Sequence, residues 1–253
     1  MARVLVTGAA GAVGRPVCRE LLARGHQVRA LDRSPSAHAT EVVVADIQDA
    51  DALRCATEGM DAVVHLAAQP HDVGFHDLVG PNVIGLYNVL DAAKRAGAAR
   101  TVVASSIQVL GRGAQGVGIA RTSDTAPTNH YALTKLWAEQ MSEMYARCFG
   151  MSILAVRIAW VVRNRDEAAK MSQLQRPSLY LSANDAGRFF AQAVEAPGVD
   201  FAVIYAASAD GHQCYDMEAA RRLIGYQPRD HWPEGLGFDL SHSGDGSEAG
   251  HGA

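Results

Sequence analysis

Apolar and polar positions follow two periods that take turns along the chain. "ARVLVTG" (2–8) is a short Val- and Leu-rich run ending at glycine, and "AVGRPVCRELLARG" (12–25) carries apolar residues at helical spacing with Gly25 as a stop. This reads as strand, turn, helix. The unit then recurs, with strands expected in "HQVRALD", "EVVVADI", "DAVVHLA", "RTVVASS", "MSILAVRIAWVV" and "FAVIYAAS". Helices are expected in "ADALRCATEG", "NVIGLYNVLDAAKRAG", "YALTKLWAEQMSEMYARCFG" and "DAGRFFAQAVEA". Such alternation calls for an α/β protein, a doubly wound parallel sheet covered by helices on both faces, running to about Ser208.

The remainder fits one unit over 1–240 with a small C-terminal portion and no repeat or Gly/Pro/Ser-rich linker. A substrate pocket is expected from 70–80, 107–115, 159–182 and 205–235. Asn164 to Leu181 is the least regular stretch and is expected to form a lid or pocket wall. The last residues, "SHSGDGSEAGHGA" (241–253), hold too little apolar area to offset chain ordering and are expected to be a disordered tail.

Composition narrows the function. At 253 residues, 48% hydrophobic and 20% charged, the chain can bury a full core. The net charge of -4, with Lys and Arg scattered, offers no footprint for nucleic acid, and no apolar run suggests a membrane span. The strand pattern begins at Arg3, before any room for a leader segment, which suggests the cytoplasm. Cys18, Cys55, Cys148 and Cys214 are widely spaced and read as reduced thiols. His71, Asp72, His76 and Asp77 have metal-ligand residue types but no ligating pattern, so no metal is expected and they are placed beside the substrate pocket.

The chemistry begins at "TGAAGAVG", where Gly8, Gly11 and Gly14 sit between the first strand and the first helix. Glycine there permits a tight turn, close approach of a pyrophosphate to the backbone, and close helix–strand packing, with free helix amides attracting the anion. A plain alanine-rich turn is the bland alternative; the strand–turn–helix setting favours a dinucleotide. Asp32, eighteen residues past Gly14 at the end of the second strand, can bind the adenosine ribose and repel a 2′-phosphate, which favours NAD, although Arg33 beside it could accept a phosphate. Asp46 is placed beside the adenine, with a solvated strand-end carboxylate as the alternative.

Tyr131 and Lys135 fall four residues apart on one helix face, and the fifth strand brings Ser105 and Ser106 to the sheet edge where ligands of such folds bind. A Tyr-x-x-x-Lys pair by itself is commonly a surface pair; together with the glycine turn and the serines it becomes a candidate acid/base site. A nearby ammonium and a nicotinamide cation would both favour the phenolate. Trp137, Met141 and Met144 at near-helical spacing read as core or interface residues rather than a binding box.

These motifs resemble the extended short-chain dehydrogenases/reductases, a Rossmann-fold family. The likeness covers about Val4 to Pro228 and rests on "TGAAGAVG", "DAVVHLAA", "NVIGLYNVLDAAKRAG", "VVASSIQVLG", "YALTKLWAE" and "LIGYQPRD". It implies Tyr131 as acid/base, Lys135 on the nicotinamide ribose and lowering the tyrosine pKa, and Ser106 on the reacting oxygen. Ser106 is preferred to Ser105 because it stands three residues before Val109. The implied NAD-binding set is Gly8, Ala10, Gly11, Ala12, Val13, Gly14, Asp32, Arg33, Asp46, Ile47, Leu66, Ala67, Ala68, Asn82, Tyr131, Lys135 and Ile158, with Asn82 in the helix behind the site. A homodimer formed through the Tyr131 helix is implied in the same way.

Within that family the sequence resembles bacterial uronate dehydrogenases, which implies oxidation of a small sugar or sugar acid by NAD. The implied substrate side is Gln69, Ser106, Ile107, Gln108, Trp160 and Arg176, the last as the grip on a substrate carboxylate, with Arg157, Arg163 and Arg165 as rivals. The sequence departs from the uronate dehydrogenase pattern at Ile107 and Gln108, at Ala159 and Trp160, at Pro70, and in a longer 163–177 segment. An epimerase or dehydratase of the same superfamily, and a non-catalytic dinucleotide-binding regulator, are the competing readings.

Overall fold

In a computed structural model of the chain, residues 1–111, 119–238 and 240 are described. The expected tail, and the 112–115 part of the expected pocket, lie outside them. Seven strands form one parallel sheet: β1 (Arg3–Thr7), β2 (Gln27–Asp32), β3 (Glu41–Val44), β4 (Ala62–His65), β5 (Arg100–Ser106), β6 (Ile153–Ile158) and β7 (Phe201–Ala206), in spatial order β3-β2-β1-β4-β5-β6-β7. The order reverses direction between β1 and β4, and their carboxyl ends part there to leave a crevice.

The period-2 alternation assigns the two faces. Val4 and Val6 join one buried cluster while Leu5 joins the other, and in β4 Val64 and Val63 divide in the same way. The first cluster is closed by α1 (Gly14–Ala23) and α7 (Ala183–Glu195), whose Val17, Leu21, Phe189 and Phe190 are fully buried. The second is closed by α2 (Ala50–Thr57), α4 (Gly85–Ala96) and α5 (His130–Phe149), with α3 (Phe75–Leu78) and a π turn (Val79–Ile84) leading into α4. Asn82 therefore falls in a π turn at the entry to α4 rather than in regular helix.

One expectation is overturned. The stretch expected to be irregular contains α6 (Arg165–Leu174). Its start is a capping interaction, with the Asn164 side chain accepting from the backbone N–H of Glu167 at 2.9 Å, and Asp166 and Glu167 place acid in the first turn, where the helix dipole favours it. The rest of the stretch is a short 3-10 turn (Pro177–Leu179) tied back to the end of β6, where Trp160 N–H donates to Leu179 O at 2.7 Å and Leu181 N–H to Trp160 O at 3.0 Å. Beyond β7 come a 3-10 turn (Ala209–Gln213) and α8 (Glu218–Ile224).

Candidate active site

The turn after β1 shows why its glycines are glycines. Gly8 has φ +73°, and a Cβ on it would lie 2.6 Å from Ala67 N; one on Gly14 would lie 2.1 Å from Gly8 O. Neither position can take a side chain without moving backbone. The α1 N-terminus has no side-chain cap: Gly14, its first residue, lines the crevice, while Arg15 N–H donates to Gly11 O at 3.1 Å and Pro16 has no N–H. Asp32 braces the same turn, accepting from Ala10 N–H at 3.0 Å and from Ser34 N–H at 3.1 Å. A tight glycine cradle, an uncapped helix N-terminus and an acidic strand end suit a dinucleotide: the cradle for the pyrophosphate, the carboxylate for the ribose.

A cleft of about 750 Å³ opens from this turn along the carboxyl ends of β4, β5 and β6. Of the expected cofactor residues, Gly8, Gly11 to Gly14, Leu66, Ala67, Ala68 and Ile158 line it. Ser106, Ile107, Gln108, Tyr131, Lys135 and Trp160 line the same cleft, which brings the three expected catalytic side chains to one wall. His71 and Asp72 are on its rim. A larger and more open hollow of about 920 Å³ lies along α8, between Arg121, Tyr215 and Arg221, away from this machinery.

Several expected residues stand elsewhere. Ala10, Arg33, Asp46 and Ile47 belong to the loops after β1, β2 and β3 and Asp32 is the last residue of β2, all outside the cleft lining; Ile47 is buried against Gly85, and Asp46 accepts from Gln48 N–H at 2.8 Å. Asn82 lies one layer back, its amide donating to Gln69 O at 3.1 Å and to Thr134 Oγ1 at 3.0 Å while its oxygen accepts from Gln69 N–H at 2.8 Å. It pins the segment after β4 to α5. Arg176 is outside the cleft lining, its charge acting on Tyr215, and the arginine that lines the cleft is Arg163. Arg157 is fully buried in an ion pair with Glu139 at 2.8 Å.

The two serines are distinguished by their partners. Ser105 Oγ donates to Glu139 Oε1 at 2.6 Å, whereas Ser106 Oγ accepts from Gln108 N–H at 3.2 Å and is near enough to the Tyr131 hydroxyl to favour its phenolate. Tyr131 and Lys135 are both buried, with the Lys135 Nζ 5.8 Å from the Tyr131 ring centre and donating to Ala104 O at 3.0 Å. Burial pushes the tyrosine up to about 12, and the opposing pulls of the Ser106 hydrogen bond and the Arg163 charge are smaller. Burial brings the lysine down to about 8. In the free protein the tyrosine thus moves opposite to the direction expected from the lysine, because losing water outweighs the nearby cations. His65, below the turn and 2.8 Å from Thr7 Oγ1, is driven down to about 3 by burial and by the Lys135 charge, so it stays neutral.

Glu167 was not anticipated as a site residue. It lines the cleft from α6 and holds Arg163, and the Asn164-x-x-Glu167 capping pattern was the available signal for the helix that presents it.

Residues 4–175 match the NAD dependent epimerase/dehydratase family. The chain is 34% identical over 251 residues to an L-arabinose 1-dehydrogenase (NAD(P)(+)) of Haloferax volcanii, covering 91% of this chain and 97% of that one. It is 31% identical to a uronate dehydrogenase of Pseudomonas syringae pv. tomato, covering 90% and 82%. Among solved structures, a uronate dehydrogenase from Agrobacterium tumefaciens superposes with a TM-score of 0.78 at 29% identity, over 91% of this chain and 85% of that one. A mutant of the Agrobacterium tumefaciens enzyme, solved in complex with NAD, superposes with a TM-score of 0.77 at 28% identity, over 91% and 85%. The glycine cradle, the parallel sheet and these matches agree: the chain belongs to the NAD dependent epimerase/dehydratase family.

Proposed function

We propose that the chain is an NAD-dependent dehydrogenase that oxidises a hydroxyl-bearing carbon of a small sugar or sugar derivative. The observation carrying this reading is the convergence of Ser106, Tyr131 and Lys135 on one wall of the cleft that begins at the glycine turn. Relatives named as arabinose and uronate dehydrogenases support a sugar as substrate.

Bound NAD supplies the hydride acceptor. Gly8 to Gly14 would hold its pyrophosphate and Asp32 its adenosine ribose, with Leu66, Ala67, Ala68 and Ile158 lining the channel. Tyr131 takes the proton of the substrate hydroxyl at its phenolic oxygen. Ser106 hydrogen-bonds that same oxygen and keeps the hydroxyl oriented. Lys135, whose ammonium donates to Ala104 O, would hold the nicotinamide ribose, and its charge would favour the phenolate in the closed complex.

The test is a panel of neutral aldoses, hexuronates and simple secondary alcohols with NAD, read by the near-ultraviolet absorbance of NADH. Steady NADH formation with sugars supports the dehydrogenase. Substrate isomerisation or water loss with no net NADH would make the chain an epimerase or dehydratase of the same family. NAD binding without turnover of any kind would leave a regulator, a role that has no need of Ser106, Tyr131 and Lys135 together.

The apolar side chains Ile84, Tyr87, Leu133 and Trp137 are about half exposed on the α4 and α5 side, an arrangement that fits a homodimer packed through this face. The four cysteines are free thiols, which fits the cytoplasm; among the described residues no helix is long and apolar enough to cross a membrane.

A further inference from the structure

The outer wall of the cleft carries a charge arrangement that the catalytic trio and the cofactor residues leave unused. Arg163, just past the end of β6, donates from Nε to Glu167 Oε1 at 2.9 Å and from Nη2 to the same oxygen. Its Nη1 lies 3.1 Å from Nε2 of His71. The other Glu167 oxygen accepts from the Arg163 backbone N–H at 3.0 Å and from the Trp160 indole at 3.4 Å. All four residues line the cleft, and the remaining charged groups on this wall, apart from Lys135, are Lys170 and Asp72. Arg163 and Lys170 therefore share the lining with Glu167 and Asp72, and Lys135 is a third cation in the same cleft.

Arginine grips a carboxylate when one edge of its planar fork is open. Here the Nε/Nη2 edge is taken by Glu167 and Nη1 is shared with His71. Burial pushes the Glu167 carboxyl up, but the hydrogen bonds and charge of Arg163 outweigh it and keep the group ionised at neutral pH. One N–H remains on each of Nη1 and Nη2, and a carboxylate taking them would share the guanidinium with Glu167 as a like charge, whereas sugar hydroxyls can take them without that repulsion.

We infer that Glu167 is a specificity-determining residue that makes this wall accept an uncharged polyhydroxylated sugar and reject a sugar acid. The inference rests on the dehydrogenase reading and narrows its substrate class. Arg176, the residue from which a carboxylate grip was expected, points to no alternative, since it is outside the cleft lining.

Pairs of sugars differing only at C6 decide it: D-galactose against D-galacturonate, and D-glucose against D-glucuronate, compared by kcat/KM at saturating NAD. The wild type should prefer the neutral member of its better pair by at least about tenfold, the scale of one hydrogen bond to a charged group gained or refused. Glu167→Gln should move that ratio about tenfold toward the acid, and Arg163→Gln, which leaves the carboxylate bare, should move it the other way. A wild type that prefers the acid, or a ratio unmoved by Glu167→Gln, overturns the inference while leaving the dehydrogenase reading in place. If Glu167→Gln fails to fold, the wild-type ratio and the Arg163→Gln shift still decide. No NADH from any of the four sugars overturns both.

Discussion

Lys135 is buried with its ammonium directed at a single backbone carbonyl, and removal from water brings its pKa from 10.5 to about 8. Between those values the unfolded chain holds the proton and the folded chain does not, so folding stability rises with pH across that window. Below pH about 8 the full cost of the buried charge is present. Lys135→Met should therefore be more stable than the wild type at pH 7, on the order of 1–2 kcal/mol, although turnover collapses. Chemical denaturation at several pH values checks this: the advantage should shrink as pH rises from about 8 toward 10.5, and a pH-independent difference would contradict it. At this scale the sequence was informative where a motif has fixed spacing. Tyr131 and Lys135 share a helix face by arithmetic, and the glycines are forced by close approach. Arg176 was placed ahead of Arg163 on resemblance alone, because which of two nearby arginines faces a cleft depends on whether the chain between them is helical.

That dependence is settled by α6. Its Asn164 cap fixes where the helix begins, and so places Glu167 one turn after Arg163 and facing it. A stretch with few large apolar residues gives a weak periodic signal, so its end cap was the more reliable cue than its hydrophobic pattern. In α5 the legible residues were Tyr131 and Lys135, for which chemistry is proposed, while the structural ones were silent. Glu139, one turn past Lys135, accepts from Ser105 and pairs with Arg157, which donates in turn to Tyr205 OH at 2.9 Å and Thr122 O at 2.9 Å. The pair sets α5 against the carboxyl ends of β5, β6 and β7. Glu139→Ala leaves Arg157 charged and buried without its partner and should destabilise the fold by about 3–5 kcal/mol, read from the denaturant midpoint. A loss below about 1 kcal/mol would mean that water reaches Arg157.

For the whole molecule, the alternation of strand and helix was enough to anticipate the parallel sheet, because strands buried on both faces must be joined by helical crossovers. The crevice follows from the reversal between β1 and β4, which places the glycine turn beside Ala67 and puts Ser106 within reach of α5. Sequence could not separate the two hollows of the surface, since the one along α8 is built from short turns with no periodic pattern. The face bearing Leu133 and Trp137 is the proposed dimer contact. Sedimentation at micromolar concentration should show a dimer, and Leu133→Glu combined with Trp137→Glu should yield a monomer; a wild-type monomer would contradict the packing. The central claim is that Tyr131 moves the proton while a sugar is oxidised by NAD, and its most direct test is NADH formation by wild type and Tyr131→Phe on the best sugar substrate, with NAD binding measured in parallel. The account predicts one NADH per sugar oxidised by the wild type, a fall in turnover of roughly 10²- to 10⁴-fold in Tyr131→Phe, and NAD affinity nearly unchanged. Equal turnover in the two proteins would contradict it.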